Sequence, residues 1–180
     1  MEVNVLNNGS GLASSNPAMI SFATDRLKEE HQHLRNQLKM FESHAKEVIL
    51  IDDTEKGLQI LQQLKGELPL FMDDLEQHFA WEKQDLFPFL MSYFNREPVP
   101  TIRPSLWVLE KDHQLSVSFI HSFDEAVIDS QSTAVKKQLS EAAAHLVQAC
   151  LLLNDHFTME EQVIFPLTEK ILLDLESFFS

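Results

Sequence analysis

Leu27, His31, Leu34, Leu38, Phe41, Ala45 and Val48 follow one another at spacings of 4, 3, 4, 3, 4 and 3 residues. That rhythm places them on one face of a helix. A second stripe runs Leu61, Leu64, Leu68, Met72, Leu75, His78, Glu82, Leu86 and Phe89, with Pro69 expected to kink or divide its helix. A third runs Leu106, Leu109, His113, Val117, Ile120, Asp124 and Val127. The fourth runs Val135, Leu139, Ala142, Leu146, Ala149, Leu153, His156, Glu160, Val163 and Leu167.

Short connections between successive amphipathic helices favour antiparallel neighbours. The pattern therefore predicts an all-α protein, an up-down-up-down antiparallel four-helix bundle. Residues 1–19 read as a flexible polar arm and residues 20–180 as a single domain. The proline-rich stretch NREPVPTIRP, residues 95–104, reads as the turn between the two halves. The tail LTEKILLDLESFFS predicts a short helical extension beyond Pro166, with Ile171, Leu175 and Phe178 capping the bundle or meeting a second copy in a homodimer.

Each stripe is interrupted once by histidine, and the second and fourth also by glutamate one turn later. Residues 76–89, EQHFAWEKQDLFPF, and 154–167, NDHFTMEEQVIFPL, agree at six of fourteen positions. EEHQHLR at 29–35 and KDHQLSV at 111–117 form a weaker pair, each preceding its HxxxE segment by a similar length. Two helix pairs related by an approximate twofold would bring the four histidines to one level.

A buried ionised carboxylate without a partner costs several kcal/mol, more than a marginally stable domain absorbs twice. No lysine or arginine interrupts the stripes, so a bound cation is the natural partner. Positions i and i+4 share a helix face, which lets His and Glu of one helix reach one metal centre. If Glu82 and Glu160 both bridge, each of two ions receives two imidazoles and two carboxylate oxygens. Such ligands suit iron, manganese or zinc, and the lack of thiolates argues against iron-sulfur or structural zinc sites.

Over residues 20–170 the chain resembles the hemerythrin-like, or HHE cation-binding, family, and the repeated HFxxE and FP segments carry the resemblance. The resemblance implies a four-helix bundle holding two iron ions with a solvent-derived oxo or hydroxo bridge, manganese or zinc standing second. It implies His31, His78, Glu82, His113, His156 and Glu160 as ligands. Two positions depart from the oxygen-carrying members, which have a further histidine where this chain has Val117 and a final aspartate at i+5 rather than Glu160 at i+4. A four-His, two-Glu shell looks more like the iron-sulfur repair and iron-sensing branches, although the cysteine-bearing N-terminal region usual in repair proteins has no counterpart here.

Composition narrows the function further. With 28 acidic against 14 basic side chains and a net charge of −14, the chain repels nucleic acid and anionic membrane surfaces. Its richest apolar run, AAAHLVQACLLL, falls short of the roughly 18 to 20 residues that cross a bilayer. The single cysteine, Cys150, and a start without a basic or long apolar segment predict a cytoplasmic protein. No nucleophile motif or phosphate loop is visible, so the expected function is binding or sensing of oxygen, nitric oxide or iron. A di-iron oxidoreductase or iron-sulfur repair protein is one alternative, and a metal-free helical interaction module another.

Secondary features complete the reading. Glu30, Asp74, Asp85 and Glu110 are candidates to accept a hydrogen bond from a ligating imidazole. Leu34, Leu38, Val117 and Ile120 are expected to wall the approach of a small apolar ligand, and Trp81 and Met159 to pack between helices. His145 and Asp124 are expected to meet further along the inner face, whereas His33, His44 and His121 are expected toward solvent.

Overall fold

The computed structural model describes residues 17–94, 103–131 and 135–179. Helix α1 spans Pro17–Leu50 and α2 spans Thr54–Trp81. A π-helical turn, Glu82–Leu86, continues α2 into α3, Phe87–Phe94. Helix α4 covers Arg103–Ser130 and α5 covers Lys136–Phe179, and the described residues contain no strand. Most of the expected N-terminal arm lies outside the described residues, but 17–19 already belong to α1. Of the proline-rich turn, 95–102 lie outside them and Arg103 and Pro104 open α4.

Pro69 does not divide α2, and Pro166 does not end α5. Both prolines face solvent, where water can satisfy the carbonyl left without its helical donor. Asp53 caps α2 by accepting hydrogen bonds from the backbone N–H groups of Glu55 and Lys56. At the start of α5, Lys136 donates to the carbonyls of Val48, Ile49 and Ile51, satisfying the C-terminal end of α1.

Helix α5 packs along α1 and α4, α1 along α2, and α2 along α4. Every predicted position of the first stripe is buried. The other stripes shift locally: Phe71 fills the core where Met72 is half-buried, and Phe123 is fully buried beside half-buried Asp124. Val135 is exposed, and beyond Glu160 the buried positions are Ile164, Thr168 and Ile171 rather than Val163 and Leu167. A 3.5-residue rhythm drifts against a 3.6-residue helix, and over a helix as long as α5 the drift reaches a full position.

The core divides into two apolar clusters. One joins Leu34–Val48, Leu61–Leu75, Ile120–Val127 and Leu139–Phe157 of the four long helices. The other gathers Ile20, Ala23 and Leu27 with Trp81, Leu86–Phe94, Leu106, Leu109, Ile164 and Ile171. Ile171 is buried there and Leu175 packs against it, while the side chain of Phe178 lies outside the described residues. His31, His78, Glu82, His156 and Glu160 are buried in a polar layer between the two clusters.

Candidate metal centre

Four helical segments converge on that layer. His31, His78, Glu82 and Glu160 each offer a ligand atom within 4.8 Å of the others, and Glu82, His113 and His156 form a second such group. Glu82 is common to both. Glu160 also faces both halves, its Oε2 standing 3.2 Å from Nε2 of His31 and 3.6 Å from Nε2 of His156. All six residues singled out by the stripes are thus brought together, five of them buried and His113 only 11% exposed.

The layer is rich in buried polar atoms that face one another. Nδ1 of His156 makes no hydrogen bond, and the Glu82 carboxylate meets Nε2 of His78 at 2.7 Å and stands 3.4 Å from Nε2 of His113. Holding carboxylates and imidazoles dry costs several kcal/mol of desolvation even where they pair, so ligand atoms this concentrated suit a cation among them. Four imidazole nitrogens and the carboxylate oxygens of two glutamates are hard to borderline ligands, suited to a divalent transition metal.

Without a metal, protons and repulsion divide the charge. Burial depresses the His78 imidazole, but the Glu82 charge and the hydrogen bond to Glu30 outweigh it and raise its pKa to about 10. Burial, reinforced by the Glu82 charge, pushes Glu160 up to about 8. Burial followed by the charge of His78 lowers His113 to about 3. Burial and the neighbouring imidazoles lower His156 to about 2. These four groups therefore carry their protons on one imidazole and one carboxyl, and leave two imidazoles neutral.

Outer carboxylates orient two of the rings. Nδ1 of His78 lies 2.8 Å from Glu30, and Nδ1 of His31 lies 2.8 Å from Glu161. Arg26 donates to Glu30 at 2.7 Å and Arg35 to Glu161 at 3.1 Å. Against the upward push of burial, these partners hold both carboxyls below the usual range. An Nδ1–H donating outward leaves Nε2 to present its lone pair to the centre once the ring is neutral.

Of the four acids proposed for such a role, Glu30 alone holds one of the four inward rings. Asp74 meets exposed His33 instead, and Glu110 meets Lys83. Glu161 was missed, although it directly follows Glu160 and a helix places adjacent residues about 100° apart, enough to reach around a neighbouring helix. Asp124 pairs with Lys65, not with His145, which lies tilted against Phe119. The lysine on α2 reaches the acid before α5 can.

The aromatic surroundings also differ from the symmetrical expectation. Trp81 is buried beneath the guanidinium of Arg26, 4.2 Å from its ring, but Met159 is 37% exposed. Pro88 and Pro166 occupy matching places in the repeats, yet only the α2 to α3 helix widens into a π turn, so proline alone does not set that turn. Phe157 stacks on His31 at 4.6 Å and Phe79 on His113 at 3.5 Å. Leu34, Leu38 and Ile120 belong to the core cluster, and of these Leu34 also borders a pocket beside His78. Surface pockets reach the layer beside Arg26, Glu30, Leu34 and His78 on one side and beside Phe79, Lys83 and His113 on the other.

The family model described as hemerythrin HHE cation binding domain matches residues 23–168. Comparison with curated proteins and with solved structures returned no match. Among the described residues, no helix is long and apolar enough to cross a membrane.

Proposed function

Because the chain belongs to the hemerythrin HHE cation-binding family, we propose that it is a non-haem di-iron protein that binds or senses oxygen, nitric oxide or iron. His31, His78, Glu82 and Glu160 would hold one ion, and His113, His156 and Glu82 the other, with Glu160 reaching toward both. When bound, iron supplies a redox-active Lewis acid with coordination positions open to a small ligand. The observation that carries the reading is the set of buried carboxylate oxygens and imidazole nitrogens gathered between two apolar clusters.

The protein's own part is to orient the ligands. Glu30 and Glu161 fix the rings of His78 and His31, while Phe157 and Phe79 stack against the imidazoles of His31 and His113. Contacts such as Lys136 with Val48, Arg35 with Asn154, His33 with Asp74 and Lys65 with Asp124 support an up-down-up-down antiparallel arrangement of the long helices. Cys150 is buried, with its thiol pushed up to about 12 chiefly by burial, so it stays protonated and unreactive.

The test pairs an elemental count with optical spectra of the iron-loaded chain, aerobic, reduced, and with nitric oxide added. Two irons per chain and a spectrum that responds to the added ligand support the proposal. Sustained turnover of peroxide or nitric oxide would replace binding with an oxidoreductase function, and one zinc with a featureless spectrum would refute it.

A further inference from the structure

The internal repeat permits a comparison of the two halves of the layer, residue against residue. An offset of 82 carries Glu30 and His31 onto Asp112 and His113, and an offset of 78 carries His78 and Lys83 onto His156 and Glu161. The acids that hold the rings in the first half therefore have Asp112 and Lys83 as their counterparts in the second. The substitutions have visible consequences. Asp112 is one methylene shorter than Glu30, and Nδ1 of His156 has no hydrogen-bond partner. Lys83 brings a cation where Glu161 brings an anion, and it pairs with Glu110 at 3.0 Å.

Two Arg–Glu–His relays, Arg26–Glu30–His78 and Arg35–Glu161–His31, thus support one pair of imidazoles. The described residues provide no equivalent for His113 and His156, whose closest polar contact is with each other at 2.9 Å between Nε2 atoms. A carboxylate accepting from Nδ1–H makes the opposite nitrogen more basic and pre-orients the ring, and losing it typically costs 10- to 100-fold in metal affinity. The second half is also the more accessible, since His113 lines a pocket of about 320 Å³ together with Phe79, Lys83, Phe87, Glu110 and Gln114.

We infer that the two ion positions are unequal: the His31–His78 position fills first and holds its ion, whereas the His113–His156 position binds more weakly and exchanges. The inference rests on the two-ion reading above and assigns its sites an order. Exchange at the weaker position would let one chain keep a resident ion while responding to the availability of a second.

The full chain, stripped with a chelator and titrated anaerobically with Co(II), gives a direct test by visible absorption and calorimetry. Two ions should bind in two steps at least about 10-fold apart. Glu30→Gln and Glu161→Gln should each weaken the first step by about 10-fold or more and leave the second nearly unchanged. Lys83→Met, at an exposed position that does not threaten folding, should tighten only the second step, by about 2- to 5-fold. Two ions binding with equal affinity would overturn the inference while leaving the two-ion reading intact, as would an unaltered second step in Lys83→Met. Saturation below two ions would overturn both.

Discussion

Nε2 of His78 lies 2.7 Å from Oε1 of Glu82, a buried imidazole–carboxylate pair one helical turn apart. Without a metal the two groups pair with each other, and both belong to the set of residues whose ligand atoms lie within 4.8 Å of one another. The same relationship recurs more loosely between His156 and Glu160, at 3.6 Å. Each pair is buried, so a cation taken up among these groups would change both the stability and the chemistry of the protein.

Loading the centre must displace protons. With His78 raised to about 10 and Glu160 to about 8, both are protonated at pH 7 in the metal-free chain. Binding of two ions at pH 7 should release about two protons, and overall affinity should fall by about 100-fold per pH unit as acid is added below pH 8. Calorimetry in buffers of different ionisation enthalpy measures the release. Binding without proton release would show that the ions do not displace these protons.

Metal-free stability should peak near pH 6.5. The raised values of His78 and Glu160 contribute stability that is complete below their unfolded values, about 6.5 and 4.5, and lost as pH rises through about 10 and 8. The depressed values of His113 and His156 act oppositely, contributing stability above 6.5 that is lost as pH falls toward about 3 and 2. Glu160→Gln removes one descending limb. The metal-free variant should be more stable than wild type by on the order of 2 to 4 kcal/mol above pH 8, while losing metal-dependent stabilisation. Urea denaturation at pH 5, 6.5 and 8.5, with chelator present, checks both statements.

His31 and His33 lie two residues apart and separate cleanly. His31 is 1% exposed within the polar layer, whereas the side chain of His33 is 61% exposed and bonded to Asp74. His31→Ala should lower the bound metal to one ion or none, and His33→Ala should retain the wild-type count. Elemental analysis of the two purified variants decides between the residues, and full metal in His31→Ala would remove it from the ligand set.

The inner face was legible because helical periodicity is a property of sequence spacing alone. The first stripe matched burial from Leu27 to Val48, and the two inward glutamates announced themselves by interrupting runs of leucine. What escaped depended on cumulative geometry. Drift along α5 exchanged Val163 for Ile164, and the π turn after Trp81 broke the symmetry implied by the repeats. Long polar side chains escaped for another reason. Lys65 reached Asp124 ahead of His145, and Glu161 reached His31 across a helix boundary, because partner choice among flexible side chains depends on neighbouring helices that spacing does not position.

The most direct test is anomalous diffraction at the iron edge from crystals of the iron-loaded chain. Two peaks are predicted, one beside His31 and His78 and one beside His113 and His156, with the Glu82 carboxylate between them. Peaks confined to surface acids, or a centre without anomalous density and with Glu82 and Glu160 still buried, would contradict the account.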